Sequence, residues 1–199
     1  MPVLLNAGAP WVRVGVFALC LVPLGLLVSR VIAGDLGPDP AQVLSHATGE
    51  WGLNFLLLAL AATPAQRLGF PVLLRFRRMI GLFAFFYLCV HLLVFGQVYI
   101  GWSGDILREE LLERPYVAVG FAAWLLLLPL ALTSTSGWRR RLKQRWRQLH
   151  RLVYPAVILG WLHLMWLQRS DYSEALFYAL PLVALLGWRV LRVRRRLLR

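Results

Sequence analysis

The chain has 199 residues, of which 59% are hydrophobic and 16% charged, and its mean hydropathy is +0.64. Soluble domains are about 45–50% apolar and about 25% charged, so the composition excludes an ordinary soluble protein. The formal net charge of +13 could suit a nucleic acid, but the basic residues are segregated along the chain in a way that indicates a membrane protein with no nucleic-acid partner.

Apolar segments of membrane-spanning length recur along the chain. A helix needs roughly 20 apolar residues to cross the hydrocarbon core. Segments of about this length lie at about 11–33, 49–64, 79–100, 116–132, 150–168 and 174–191. Because backbone polar groups in lipid must be satisfied internally, these segments are predicted to be helices. The sequence therefore predicts an all-α integral membrane protein, with residues 1–199 forming one six-transmembrane-helix bundle with short connections.

The charged residues alternate between the two sides of this bundle. Eighteen of the 22 basic residues fall in the 65–78 and 133–149 connections, in the 189–199 tail, or at Arg13 and Arg151. All nine acidic residues fall on the other side. The positive-inside rule then places both termini in the cytoplasm and the acidic connections outside. Contact with anionic lipid headgroups is sufficient to explain the basic side.

Local signals support this division of the chain. No cleavage site of the signal-peptide type follows the first apolar segment, so we expect that segment to be retained as a helix. Cys20 and Cys89 fall inside predicted helices and are expected to pack there rather than to form a disulfide. Residues 34–40 are predicted to form an outer loop, and residues 133–137 to end the fourth helix.

Two histidines are predicted to lie at matching depths. His91 is twelve residues from Met79, a rise of roughly 18 Å, and His163 is thirteen residues from His150, a rise of about 20 Å. On the predicted topology both helices run outward, so both imidazoles fall in the outer half of the bilayer. Cofactors bind in the cores of helix bundles, and haem iron accepts axial histidine from both faces. The spacing therefore favours an outer haem between His91 and His163.

His150 lies about 20 Å nearer the cytoplasm, where a second haem could bind. On an ideal helix, thirteen residues leave the side chains of His150 and His163 about 140° apart, so they would face different grooves. Pro155 lies between them and removes a helical hydrogen bond, so it can kink the helix and change this angle.

Each histidine also has a plainer interpretation. An intramembrane histidine can be a hydrogen-bonded core residue, and His150 borders a basic connection, where it could contact lipid headgroups. His46 precedes Glu50 by four residues, which places both on one helix face. A capped helix entrance is the simpler role for His46, and contact with a haem propionate or a quinol proton is the alternative.

Nucleotide-binding and catalytic motifs are missing from the sequence. It contains no G-x-G-x-x-G, P-loop, HExxH or Cys-rich ferredoxin pattern. A haem electron carrier of this kind would need an external donor. A proton-coupled transporter or channel with a histidine relay is the main alternative. A structural anchor that recruits an enzyme through residues 104–115 is another.

Several short motifs carry a resemblance to a known family. They are HATG (46–49), RRMIGL (77–82), VHL (90–92), RPY (114–116), LTSTS (132–136), RWRQLHRLVY (145–154) and LH (162–163). In order and spacing the chain resembles, over nearly its whole length, the MsrQ family, also called YedZ. These are haem-binding membrane subunits of the bacterial periplasmic methionine-sulfoxide reductase system, within the ferric-reductase-like transmembrane superfamily.

The resemblance implies an inner-membrane protein with one or two b-type haems and with FMN. Such a protein would pass electrons from the quinol pool or a flavin reductase to the periplasmic molybdopterin reductase MsrP, which repairs methionine sulfoxide in envelope proteins. It would be an electron-transfer subunit rather than the catalytic one. The family's haem ligands correspond to His91, His150 and His163.

One position departs from the wider superfamily, which has two histidines thirteen or fourteen residues apart on each of two helices. The residues thirteen and fourteen before His91 are Arg78 and Arg77. An inner haem would therefore lack its usual second ligand, and these arginines could instead neutralise propionates or an FMN phosphate. They fit equally well as positive charges on the cytoplasmic side.

Overall fold

A computed structural model describes residues 10–168 and 171–197, and within these ranges the regular structure is helical, with no β-strand. The helices are α1 (Pro10–Ala33), α2 (Pro40–Arg67), α3 (Val72–Phe95), α4 (Gly104–Glu113), α5 (Pro115–Leu132), α6 (Ser136–Leu149), α7 (Val153–Leu167) and α8 (Ser173–Leu197). A π-helical turn, Gly96–Ile100, extends α3, and a 3-10 turn, His150–Leu152, connects α6 to α7. The all-α prediction is confirmed for the described residues.

Among the described residues, four helices are long and apolar enough to cross a membrane. They cover Pro10–Ala33, Val72–Ile100, Pro115–Leu132 and Ser173–Arg192. The chain is therefore a multi-pass membrane protein. Helix α7 has only 15 residues, and α2 includes polar residues such as Glu50 and Asn54, so neither is among the four. A count of six spans stays a prediction.

Two helices begin earlier than predicted. Helix α2 begins at Pro40 rather than near residue 49, because Asp39 accepts a hydrogen bond from the Gln42 backbone N–H at 2.9 Å. Pro40 takes the first helical position, where no backbone N–H is needed. Helix α3 begins at Val72, seven residues before Met79. Hydropathy alone had located only the apolar part of each helix.

Two connections predicted as loops contain helices. Helix α4 lies in the acidic connection and α6 in the basic one. The hydroxyls of Ser103 and Thr135 cap them, each accepting a backbone N–H at 3.4 Å. The loop prediction was wrong because Glu, Leu and Arg form helices readily whether or not they enter lipid. The predicted end of the fourth segment is confirmed, since α5 ends at Leu132.

The chain divides into two compact units, Met1–Trp102 and Ser103–Arg199. In unit 1, α2 and α3 pack along each other and α1 contacts both. In unit 2, α5 packs on α7, and α7 also contacts α8. Both units are therefore built around one closely packed helix pair.

A tyrosine hydroxyl connects α1 to α3 inside unit 1. Tyr87 is 1% exposed, and its hydroxyl donates to the Cys20 carbonyl at 2.9 Å while accepting the Leu24 N–H at 3.0 Å. Those two backbone groups are four residues apart, the pair that a regular helix bonds to each other. Pro23 lies between them and has no N–H. The Tyr87 hydroxyl therefore bridges the backbone of α1 next to its internal proline.

Tyr87→Phe should destabilise the protein by about 1–3 kcal/mol, because it removes the partner of one buried and one part-buried backbone group. The measurement is the thermal unfolding midpoint of the detergent-purified protein. Tyr172→Phe is the control, since Tyr172 is 50% exposed and should lose little. Equal midpoints for Tyr87→Phe and wild type would show that the bridge contributes nothing to stability.

Candidate functional site

The histidine of α3 is hydrogen-bonded to the backbone of α2. The His91 Nδ1 lies 2.8 Å from the Ser45 carbonyl oxygen. Because a carbonyl oxygen can only accept, Nδ1 must carry the proton and donate it. The buried Thr48 hydroxyl donates to Leu44 O and Ser45 O at 2.7 and 3.0 Å and lies 3.5 Å from the same nitrogen. Polar groups of α2 thus fix the orientation of the imidazole.

A glycine lies directly against this imidazole. A Cβ added at Gly49 would be 3.2 Å from His91 Nδ1 and 3.3 Å from its Cε1. These distances are shorter than ordinary van der Waals contact, so an alanine methyl would press on the ring. The close approach of α2 to the His91 ring therefore depends on glycine at this position.

The histidine of α7 makes the same two kinds of contact within unit 2, one to a carbonyl and one to a glycine. The His163 Nδ1 donates to the Tyr116 carbonyl oxygen of α5 at 2.7 Å. A Cβ added at Gly120 would lie 2.7 Å from Nδ1 and 2.9 Å from Cε1 and Cγ of the ring. This contact is tighter than the one at Gly49.

The contacts of His91 and His163 also match in their spacing along the sequence. In each, the accepting carbonyl belongs to the residue four positions before the glycine, at Ser45 and Gly49 or at Tyr116 and Gly120. The histidine follows the carbonyl residue by 46 positions in unit 1 and by 47 in unit 2. His91 and His163 also each lie four residues before the last residue of their helix. Each unit thus holds one imidazole with the same hydrogen bond to a helix carbonyl and the same close contact to a glycine.

His150 lies outside the helix that carries His163. It begins the 3-10 turn, and its Nδ1 donates to the Trp146 carbonyl at 3.1 Å while the two rings stack with centroids 3.8 Å apart. Helix α7 begins only at Val153, so Pro155 falls in its first turn, where a missing N–H costs nothing. The segment predicted as one helix from residue 150 is therefore interrupted, because a 3-10 turn separates His150 from α7.

All three histidines fit the donor chemistry of a metal-bound prosthetic group. In a neutral imidazole with the proton on Nδ1, the lone pair is on Nε2, which is the nitrogen that binds metal. Histidine ligands typically donate their other ring N–H to a backbone carbonyl or a carboxylate, and this fixes the tautomer and raises ligand basicity. His91, His150 and His163 each make such a bond to a carbonyl.

The other sequence candidates have local partners. His46 Nδ1 lies 3.5 Å from a Glu50 carboxylate oxygen, which confirms that the two share a helix face. His46 is six residues into α2, so its assignment to the helix entrance was wrong. The Arg77 guanidinium donates to the Thr63 hydroxyl at 3.5 Å, and Arg78 is exposed.

Sequence reasoning did not assign roles to the groups around the histidines. The carbonyls of Ser45 and Tyr116 are backbone atoms, which every residue type has, so the sequence does not reveal them. Gly49 and Gly120 do leave a signal, since glycines within apolar helices often mark close helix contacts. Gly49 and Tyr116 also lie in the HATG and RPY motifs.

Comparison with known proteins identifies the class of this fold. Residues 48–161 match the family model described as ferric reductase like transmembrane component. A protein of Xanthomonas euvesicatoria is 50% identical over 182 residues, covering 88% of this chain and 84% of its own length. A protein of Rhodospirillum rubrum is 49% identical over 187 residues, covering 92% and 90%. Both are named protein-methionine-sulfoxide reductase heme-binding subunit MsrQ.

The chain therefore belongs to the ferric-reductase-like transmembrane proteins and, among them, to the MsrQ family. The resemblance seen in the sequence motifs is confirmed. No solved structure matches the chain.

The hydrogen bonds predict that His91, His150 and His163 of the haem-free protein carry their proton on Nδ1, because each donates from that atom to a carbonyl. Solid-state ¹⁵N NMR of histidine-labelled protein in bilayers measures this directly. Single His→Gln variants assign each signal by its disappearance. Protonation of His91 or His163 on Nε2 would contradict the proposed donor roles.

Proposed function

We propose that the chain carries electrons across the membrane through haem b, held by Nε2 of His91 and of His163. The observation that carries this proposal is the matched setting of the two imidazoles, each donating Nδ1–H to a helix carbonyl at 2.8 or 2.7 Å. Both relatives are named as heme-binding subunits, which supports the choice of cofactor.

Haem b, when bound, would supply a one-electron redox centre. Held by His91 and His163, such a centre would suit electron transfer rather than reaction with oxygen. The hydrogen bonds from Nδ1 to Ser45 and Tyr116 make the ligands more basic and so favour the oxidised iron. His91 and His163 thus bind the group and adjust its affinity for the electron, and no residue of the chain acts on methionine sulfoxide.

A second haem ligand is proposed at His150. Its Nδ1–H is donated to Trp146 and its ring is stacked on the indole, so two contacts fix the orientation of the imidazole. Arg77 and Arg78 occupy the positions where the wider superfamily has its other inner histidine. As cations they suit a propionate of an inner haem rather than its iron.

The membrane arrangement proposed is six spans, formed by α1, α2, α3, α5, α7 and α8, in one haem-binding domain of the bacterial inner membrane. Both termini lie in the cytoplasm. The charge distribution supports this, because α6 carries six basic residues and no acid, whereas α4 carries four acids. The two helices then lie on opposite sides of the membrane.

FMN, if it binds, is proposed to do so on α6. Two surface cavities of about 480 and 530 Å³ adjoin Lys143, where the helix is broken by a backbone φ of +47°. Arg139, Arg147 and Trp146 line the first cavity. Guanidinium groups and an indole are suitable partners for a phosphate and an isoalloxazine ring, respectively.

The electron donor and acceptor are proposed to approach from opposite sides. Membrane quinol or a flavin reductase would supply electrons from the cytoplasmic side. An external donor is needed because the sequence contains no nucleotide-binding motif. MsrP would receive them on the periplasmic side, next to α4. Helix α4 exposes the carboxylates of Asp105, Glu109 and Glu113, which can orient a partner with a basic surface.

His91→Ala and His163→Ala should each abolish the b-type absorbance of the outer haem, because each removes one axial ligand. The measurement is the dithionite-reduced minus air-oxidised spectrum of detergent-purified protein, with a pyridine haemochrome assay for haem per chain. A lower haem content in His150→Ala would assign a second haem to that residue. His46→Ala is the matched control and should retain the spectrum.

The outcome that overturns the proposal is a colourless wild-type protein that does not bind added haemin. A histidine proton relay would then account better for His91 and His163, and proton flux into proteoliposomes under a pH gradient would test it.

Cysteine reporters test the topology. In a Cys20→Ala, Cys89→Ala background, Glu109→Cys should react with a membrane-impermeant maleimide on spheroplasts, and Arg140→Cys should react only after permeabilisation. The reason is that α4 is proposed to lie outside and α6 inside. Labelling of both reporters from the same side would rule out this arrangement.

A further inference from the structure

We propose that Gly49 and Gly120 are positioning residues that fix the imidazole planes of His91 and His163 and thereby help to set the redox potential of the haem. The inference rests on the proposed function, because it concerns the same two ligands. It adds two residues on the neighbouring helices that do not bind the cofactor themselves.

The close contact occurs at the turn of helix that accepts the histidine proton. In a regular helix the carbonyl of residue i accepts the N–H of residue i+4. Ser45 and Gly49 stand in this relation, as do Tyr116 and Gly120. In both cases the imidazole that donates to the carbonyl also lies against residue i+4. A methyl group at either position would press on the ring, so glycine leaves the room that the ring needs.

The two contacts differ in how much they constrain the ring. At Gly49 an added Cβ would lie 3.2 Å from the nearest atom of His91, so the ring would have to give way by a few tenths of an ångström. At Gly120 an added Cβ would have three atoms of His163 within 2.9 Å, so the ring or the helix must move. The effect of a methyl group should accordingly be larger at position 120.

Displacing the ring acts on the iron in two ways. It lengthens or bends the Nδ1–H···O hydrogen bond, which makes the ligand less basic and shifts the midpoint potential in the positive direction. It also turns the imidazole plane about the iron–nitrogen bond, which changes the g values of the low-spin ferric haem. A glycine that served only to let helices pack would produce neither change.

The chain offers matched control glycines. Among the glycines of residues 10–168 and 171–197, a histidine ring is the nearest neighbour of an added Cβ only at Gly49 and Gly120. At Gly52, also in α2, the added Cβ would lie 2.6 Å from Leu88, so this site is at least as crowded as Gly49 but not against the ligand. Gly81 in α3 and Gly160 in α7 have room for a methyl group.

The experiment compares the haem-loaded full chain as wild type, Gly49→Ala and Gly120→Ala with Gly52→Ala, Gly81→Ala and Gly160→Ala. Haem per chain, the electron paramagnetic resonance spectrum of the ferric state and a potentiometric titration are recorded for each. Gly49→Ala should keep its haem but shift both the g values and the potential. Gly120→Ala should shift both further or lose haem, and the three controls should match wild type.

The results separate this inference from the proposed function. If wild type has a bis-histidine haem spectrum and Gly49→Ala and Gly120→Ala are indistinguishable from the controls, only the positioning role is overturned. If Gly52→Ala shifts the potential as much as Gly49→Ala, general crowding between α2 and α3 is the cause and the inference also fails. If Gly120→Ala does not fold, the milder Gly49→Ala decides. A wild type that binds no haem overturns both proposals.

Discussion

The hydrogen bond from a histidine Nδ1–H to a helix carbonyl is the interaction on which the rest of this site depends. A helix carbonyl already accepts one backbone N–H, but its oxygen has a second lone pair. Ser45 and Tyr116 offer that lone pair to His91 and His163, so a backbone acceptor fixes the proton of each ring on Nδ1. The constraint requires two helices to lie very close, and this accounts for the small residues at Gly49 and Gly120.

This construction lets an apolar bundle hold polar ligands at little cost. Burying a polar group without a partner is expensive, especially where no water can replace the partner. The Ser45 and Tyr116 carbonyls supply such partners for the two rings, and the Thr48 hydroxyl next to His91 is itself bonded to α2. Fixed dipoles of this kind need little reorganisation when a nearby charge changes, which would suit the proposed electron carrier.

The sequence predicted the membrane class, the helical fold and His91, His150 and His163 as candidate ligands, because hydropathy and rare intramembrane histidines are strong signals. It failed where polar residues form helices, at α4 and α6, and at the start of α2, where a cap rather than hydropathy sets the boundary. The carbonyl partners could not be predicted, since any residue type supplies a carbonyl. Their positions depend on which helix faces pack together, and a single sequence does not reveal this.

The 3-10 turn at His150–Leu152 has a mechanical consequence for the two histidines of this segment. A continuous helix transmits rotation and translation along its axis, so ligands at both ends would move together. Here His150 is hydrogen-bonded to Trp146 of α6, whereas His163 lies on α7 and is hydrogen-bonded to Tyr116 of α5. The two rings are therefore positioned by different helices, so a substitution next to one ring need not disturb the other.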